Sequence, residues 1–107
     1  MSRNNQYGIV MTTTDSQDEA DRLAEGLVEQ KLAACVQILN ITSYYAWEGK
    51  IENSPEYLML IKTNEGCYDD VEQFLTQHHS YDVPEIVQAP IQRGLPVYLQ
   101  WIDENTR

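Results

Sequence analysis

Basic residues are scarce in this chain. Lysine and arginine together number 7 against 17 acids, which leaves a net charge of −10 and a pI near 4.3. That balance argues against a nucleic-acid or anionic-membrane partner, because neutralising phosphates requires clustered Lys and Arg. Cysteine is scarce as well: Cys35 and Cys67 alone do not make a disulfide framework. No apolar run approaches the ~20 residues of a membrane span, and residues 1–6 contain no apolar signal core. A cytosolic setting is expected. Catalytic signatures are missing too. There is no Walker loop, no Gly-x-Ser-x-Gly, no His-Glu-x-x-His and no Cys-x-x-Cys. The expected role is non-enzymatic.

What is present is a chain that is 42% hydrophobic, enough for one modest core, so residues 1–107 read as a single domain. Residues 6–13 have a short apolar centre and read as a first strand. Ser16 and Glu19 have capping-box spacing, with the Ser16 hydroxyl accepting an N3 amide and Glu19 reaching back. Ala20, Leu23, Ala24, Leu27 and Val28 follow at helical spacing, which predicts a helix over 17–32. A second helix is expected over 65–79, a further strand over 84–91 and a closing helix over 95–102. The order is β-α-β-β-α-β plus a tail. It predicts an α+β, ferredoxin-like sandwich with an antiparallel sheet and two helices on one face.

The middle of that order is its most informative part. Residues 34–47 and 50–63 form two strand-like arms of 14 residues each, folded about Glu48 and Gly49. A strand usually has about 5–6 residues. At about 3.3 Å per residue each arm reaches about 46 Å. A compact globule of this length spans about 34 Å, so the hairpin overshoots its own body. The overhang carries Tyr44, Tyr45 and Trp47, which are costly to leave in water. Pro55 cannot donate to a ladder and marks a bulge or an edge position. Residues 57–61 are apolar at every position, the pattern of a strand covered on both faces. Both features predict a partner subunit.

Four segments carry a family resemblance: KLAACV (31–36), YYAWEGKIE (44–52), LIKT (60–63) and HHSYDVPEI (78–86). With the YLQW tail (98–101), they resemble the CutA family of divalent-cation tolerance proteins in order and separation. The resemblance implies a ferredoxin-like subunit, a homotrimer with hairpins wrapping the adjacent subunit, and an architecture like that of the PII signalling proteins. It also implies a role in tolerance of copper and other divalent metals, with no enzymatic activity. In family members proposed to hold copper, the residues matching His78 and His79 act with a cysteine at the end of the first strand. The matching position here is Thr12, so the soft thiolate that favours Cu(I) is absent.

The residues themselves leave alternatives open. His78 and His79 are the local metal candidates, since imidazole ligates copper and zinc. Adjacent helical residues point about 100° apart, so both reach one ion only if the helix ends there. The competing reading is a pair capping a helix C-terminus. Trp47, Lys62, Tyr81 and Glu85 are candidates for an inter-subunit cleft taking a small anionic or zwitterionic ligand, as in a PII-like sensor. Tyr44 and Tyr45 are expected in the hairpin interface. A scaffold for an unidentified protein partner is the third reading.

Overall fold

The computed structural model describes residues 6–107. Its elements are β1 (Tyr7–Thr14), α1 (Gln17–Glu29), β2 (Cys35–Trp47), β3 (Lys50–Asn64), α2 (Tyr68–His78), β4 (Val87–Ile91) and α3 (Pro96–Glu104). All four strands join one antiparallel sheet in the order β2-β3-β1-β4. This is the α+β, ferredoxin-like arrangement the element order predicts.

The first helix begins at the expected cap: the Glu19 amide donates to the Ser16 hydroxyl at 3.2 Å. The other half of the box does not form. Thr14 Oγ1 takes the Ser16 amide at 3.3 Å, which leaves the Glu19 carboxylate for another partner. The helix ends at Glu29, short of residue 32. Lys31 adopts φ 60°, the amide of Lys31 donates to Val28 and that of Leu32 to Leu27. These two bonds are a Schellman closure, with Leu32 packed beside Leu27 in the core.

The second helical segment starts with a single 3-10 turn (Glu65–Cys67), because Asn64 Oδ1 accepts the Cys67 amide at 3.0 Å. α1 and α2 pack closely at Gly26, where a Cβ would lie 2.6 Å from the Phe74 ring. β4 starts at Val87 rather than residue 84, because residues 79–86 form an irregular loop after α2.

Strand alternation sorts the sheet into two faces. Val10, Met59 and Ile61 turn toward α1 and α2, meeting Ala20, Leu23, Leu27, Val71 and Leu75 in the core. Ile9, Met11, Leu58, Leu60 and Lys62 share the opposite face and are half-buried. α3 crosses part of that face. Tyr7 donates to Asp103 at 2.6 Å, the Lys62 ammonium sits 5.5 Å from the Tyr98 ring centre, and Ile102 is fully buried. The sheet therefore has a small third layer at one end.

The hairpin matches the arm argument. β2 and β3 pair without interruption from Cys35↔Lys62 to Trp47↔Lys50, across a turn with positive φ at Glu48 and Gly49. β1 pairs with β3 only as far as Thr14↔Tyr57. Pro55 lies beyond that limit in an unbroken register, so it is an edge position and not a bulge. The long axis is 46 Å, and Tyr44, Trp47 and Ile51 near the tip are 73%, 60% and 82% exposed.

Candidate functional site

The polar cluster of the fold gathers where β1, α1, β3 and the loop after α2 meet. α2 ends at His78, and His79 leaves the helix with φ −81° and ψ 144°. That one extended residue sends the neighbouring imidazoles to different places. His78 stays on the exposed side of α2, tilted against Phe74 at 4.5 Å between ring centres. It borders a shallow polar groove of about 260 Å³ with Gln30, Asp70, Gln77 and Arg107.

The His79 side chain is completely buried. Its Nε2 lies 2.8 Å from the Thr13 carbonyl oxygen. The β1–β4 ladder stops at Met11↔Val87, so this part of β1 lies beyond β4 and meets an imidazole instead. His79 Nδ1 lies 3.1 Å from the Tyr81 amide and 3.3 Å from Glu19 Oε2. The Tyr81 ring leans on the imidazole at 4.9 Å.

Glu19 is an almost fully buried carboxylate, freed from its own cap. Burial opposes its charge, but the Ser80 amide and hydroxyl, the His79 ring and Thr14 outweigh burial and hold the carboxyl below its ordinary pKa. The Ser80 amide donates to Oε2 at 3.1 Å. Farther out, the Tyr81 hydroxyl donates to Glu56 Oε2 at 2.7 Å, and the Ser43 hydroxyl donates to Glu56 Oε1 at 2.7 Å. Burial and the adjacent Glu56 carboxylate push the Tyr81 phenol well above its ordinary value.

These contacts do not fit the metal reading of the histidine pair. Both nitrogens of His79 already face hydrogen-bond partners, and His78 turns elsewhere. Nor does the His79 ring cap α2: its imidazole bonds to β1, and only its backbone amide returns to Leu75, while His78 stays in the last turn of the helix. Thr12 is fully buried on the core side of β1, and its hydroxyl has no hydrogen-bond partner among the described residues. Among those residues no three His, Cys, Asp or Glu side chains converge as a metal cluster.

The proposed cleft residues do not meet within one chain. Tyr81 reaches Glu56, while Lys62 lies about 20 Å farther along β3 and Trp47 sits at the hairpin tip. Glu85 is exposed on the loop before β4. Sequence reasoning missed Glu19 and Glu56 as site residues. The threonine run 12–14 was the available signal for Glu19, because Thr14 could compete for the Ser16 amide.

Relatives of known kind share this fold. A divalent-cation tolerance protein CutA from Archaeoglobus fulgidus is 44% identical over 99 residues, covering 92% of this chain and 97% of its own length. A chloroplastic CutA protein from Arabidopsis thaliana is 38% identical over 92% of this chain, which spans about half of that longer relative at 55%. The solved CutA1 structure from Oryza sativa superposes with a TM-score of 0.92 at 38% identity, over 99% of this chain and 98% of that one. The family description of the CutA1 divalent ion tolerance proteins matches residues 8–105, and the chain belongs to that family.

Proposed function

We propose that this chain serves divalent-cation tolerance as a non-enzymatic homotrimer, without a tight metal cage built from one subunit. The overshooting hairpin carries this reading: its aromatic tip and the half-covered face of Ile9, Met11, Leu58 and Leu60 need burial that one copy does not supply. Copper and other divalent cations would be attracted loosely by the acidic surface, which does not select among them. The two free cysteines are compatible with a reducing, cytosolic setting. Native mass spectrometry with Cu(II) or Zn(II) tests both halves. A particle of three 12.4 kDa chains without stoichiometric metal uptake is expected. A folded monomer at micromolar concentration overturns the assembly. One tightly held ion per chain, lost in His78→Ala, overturns the loose-binding reading.

A second reading is a PII-like sensor with a small ligand between subunits. It is supported by Lys62, whose ammonium rests on Tyr98 without an ion pair among the described residues. An anionic metabolite that raises the melting temperature of the native chain but not of Lys62→Ala would favour it.

A further inference from the structure

The His79 ring has two mutually exclusive bonding states, and the partners of both are already in place. Nε2 faces a carbonyl oxygen, Thr13 O at 2.8 Å, which only accepts. Nε2 therefore carries a hydrogen in either state. Nδ1 faces one group of each kind: the Tyr81 amide, a donor, at 3.1 Å, and Glu19 Oε2, an acceptor, at 3.3 Å. In the neutral ring the Nδ1 lone pair accepts the Tyr81 N–H and has nothing to give Glu19. In the cation the Nδ1 hydrogen goes to Glu19, and the Tyr81 amide loses its acceptor. One proton thus exchanges the hydrogen bond from the Tyr81 amide for an ion pair with Glu19.

Tyr81 transmits this exchange to the hairpin. Its hydroxyl holds Glu56 at 2.7 Å, and Glu56 also holds Ser43 of β2 at 2.7 Å. Both lie in the stretch of hairpin beyond the last β1 pair at Tyr57. Glu19 is held by the Ser80 amide at 3.1 Å, so the carboxylate keeps a fixed position. The ionisable groups around this centre are Glu19 from α1, Glu56 from β3, Asp15 from the β1–α1 turn and Tyr81 from the loop itself. Three of these are carboxyl groups. Histidine is the side chain whose ordinary titration falls between pH 5 and 8.

We propose that His79 is a proton-operated clasp: its neutral form holds the Tyr81 amide and so steadies the residue whose hydroxyl grips Glu56 of the hairpin, and its protonated form turns Nδ1 to Glu19 and releases that amide. The clasp makes the anchorage of the hairpin sensitive to mild acidification, and it does not rest on the metal-tolerance reading.

Ring-nitrogen NMR on histidine-labelled protein, with amide exchange at Tyr81 between pH 8 and pH 5, tests it. At pH 8 the His79 ring is expected with hydrogen on Nε2 alone. On acidification Nδ1 gains its proton, and Tyr81 protection falls by about tenfold beyond the intrinsic pH effect, as for one lost hydrogen bond. Glu19→Gln keeps an oxygen for the Ser80 amide and should fold. It should move the His79 midpoint to lower pH and leave that of His78 in place. Tyr81→Phe keeps the amide and should still show the Nδ1 transition. A His79 ring that holds one protonation state throughout, a midpoint unmoved by Glu19→Gln, or Tyr81 protection that does not track Nδ1 would each overturn the proposal.

Discussion

Tyr81 donates its phenolic hydrogen to Glu56 across 2.7 Å, and this bond fastens the loop after α2 to a part of β3 that β1 no longer supports. A hydrogen bond to a charged group contributes about 1.5–3 kcal/mol. Glu56 is half-buried and keeps Ser43, which places Tyr81→Phe at the low end of that range. The variant should also behave differently in alkali. Because the folded phenol is raised above its ordinary value near 10, its contribution is full below that value and is lost as pH rises toward the folded pKa. Urea unfolding at pH 7 and above pH 10 should show the native chain losing an increment of stability that Tyr81→Phe never had. Parallel losses in the two proteins would show that the Tyr81 hydroxyl is not the source of the alkaline loss.

Glu19 gives the opposite pH dependence. Its folded carboxyl is held below the ordinary 4.5, so its contribution is present above that value and disappears as pH falls through the lower folded pKa. Glu19→Gln should therefore be less stable than the native chain at neutral pH, and the gap should close in acid. Denaturant midpoints collected from pH 7 down to about pH 3 provide the check. A gap of constant size would mean that Glu19 acts by shape and not by charge.

Glu19 and Glu56 mark where sequence reading succeeds and where it stops. The element order, the sheet class and the hairpin were legible because each rests on local pattern: helical spacing in Ala20 to Leu27, the cap at Ser16, and the turn at Glu48 and Gly49. The ends of elements were less legible. A helix stop at Glu29 depends on Lys31 entering left-handed backbone, which its residue type does not advertise. The site was least legible. His78 and His79 are adjacent in sequence, yet one extended residue separates a solvent-facing ring from a buried one. Glu19 looked like half of a capping box until Thr14 took its role. Both outcomes are decided by contacts with distant elements.

The buried Thr12 hydroxyl makes a third expectation. It stands opposite Met59 in the core with no hydrogen-bond partner among the described residues. A buried polar group left unpaired costs about 1–3 kcal/mol, and replacing it with an apolar group of the same shape removes that cost. Thr12→Val should raise stability by about 1 kcal/mol, or about 4 °C in melting temperature for a domain of this size. Calorimetry decides it. A variant less stable than the native chain would mean that the hydroxyl is satisfied by water in solution.

Lys31 offers the sharpest backbone test. It occupies the residue after the α1 cap at φ 60°, where its Cβ crowds the following carbonyl. That conformation costs an L-residue roughly 1–2 kcal/mol, and glycine avoids the cost. Glycine brings an opposing term of its own, because it loses about 0.5–1 kcal/mol more conformational freedom on folding. The side chain of Lys31 is exposed and its backbone supplies the closure bonds, so truncation removes little else. The net expectation for Lys31→Gly is a gain of about 0.5–1 kcal/mol. Lys31→Ala separates the two contributions, since it removes the lysine chain but retains the strained Cβ. If strain governs, Ala should match the native chain in denaturant midpoint while Gly exceeds it. If both variants rise together, the lysine side chain and not the backbone is the source of the cost.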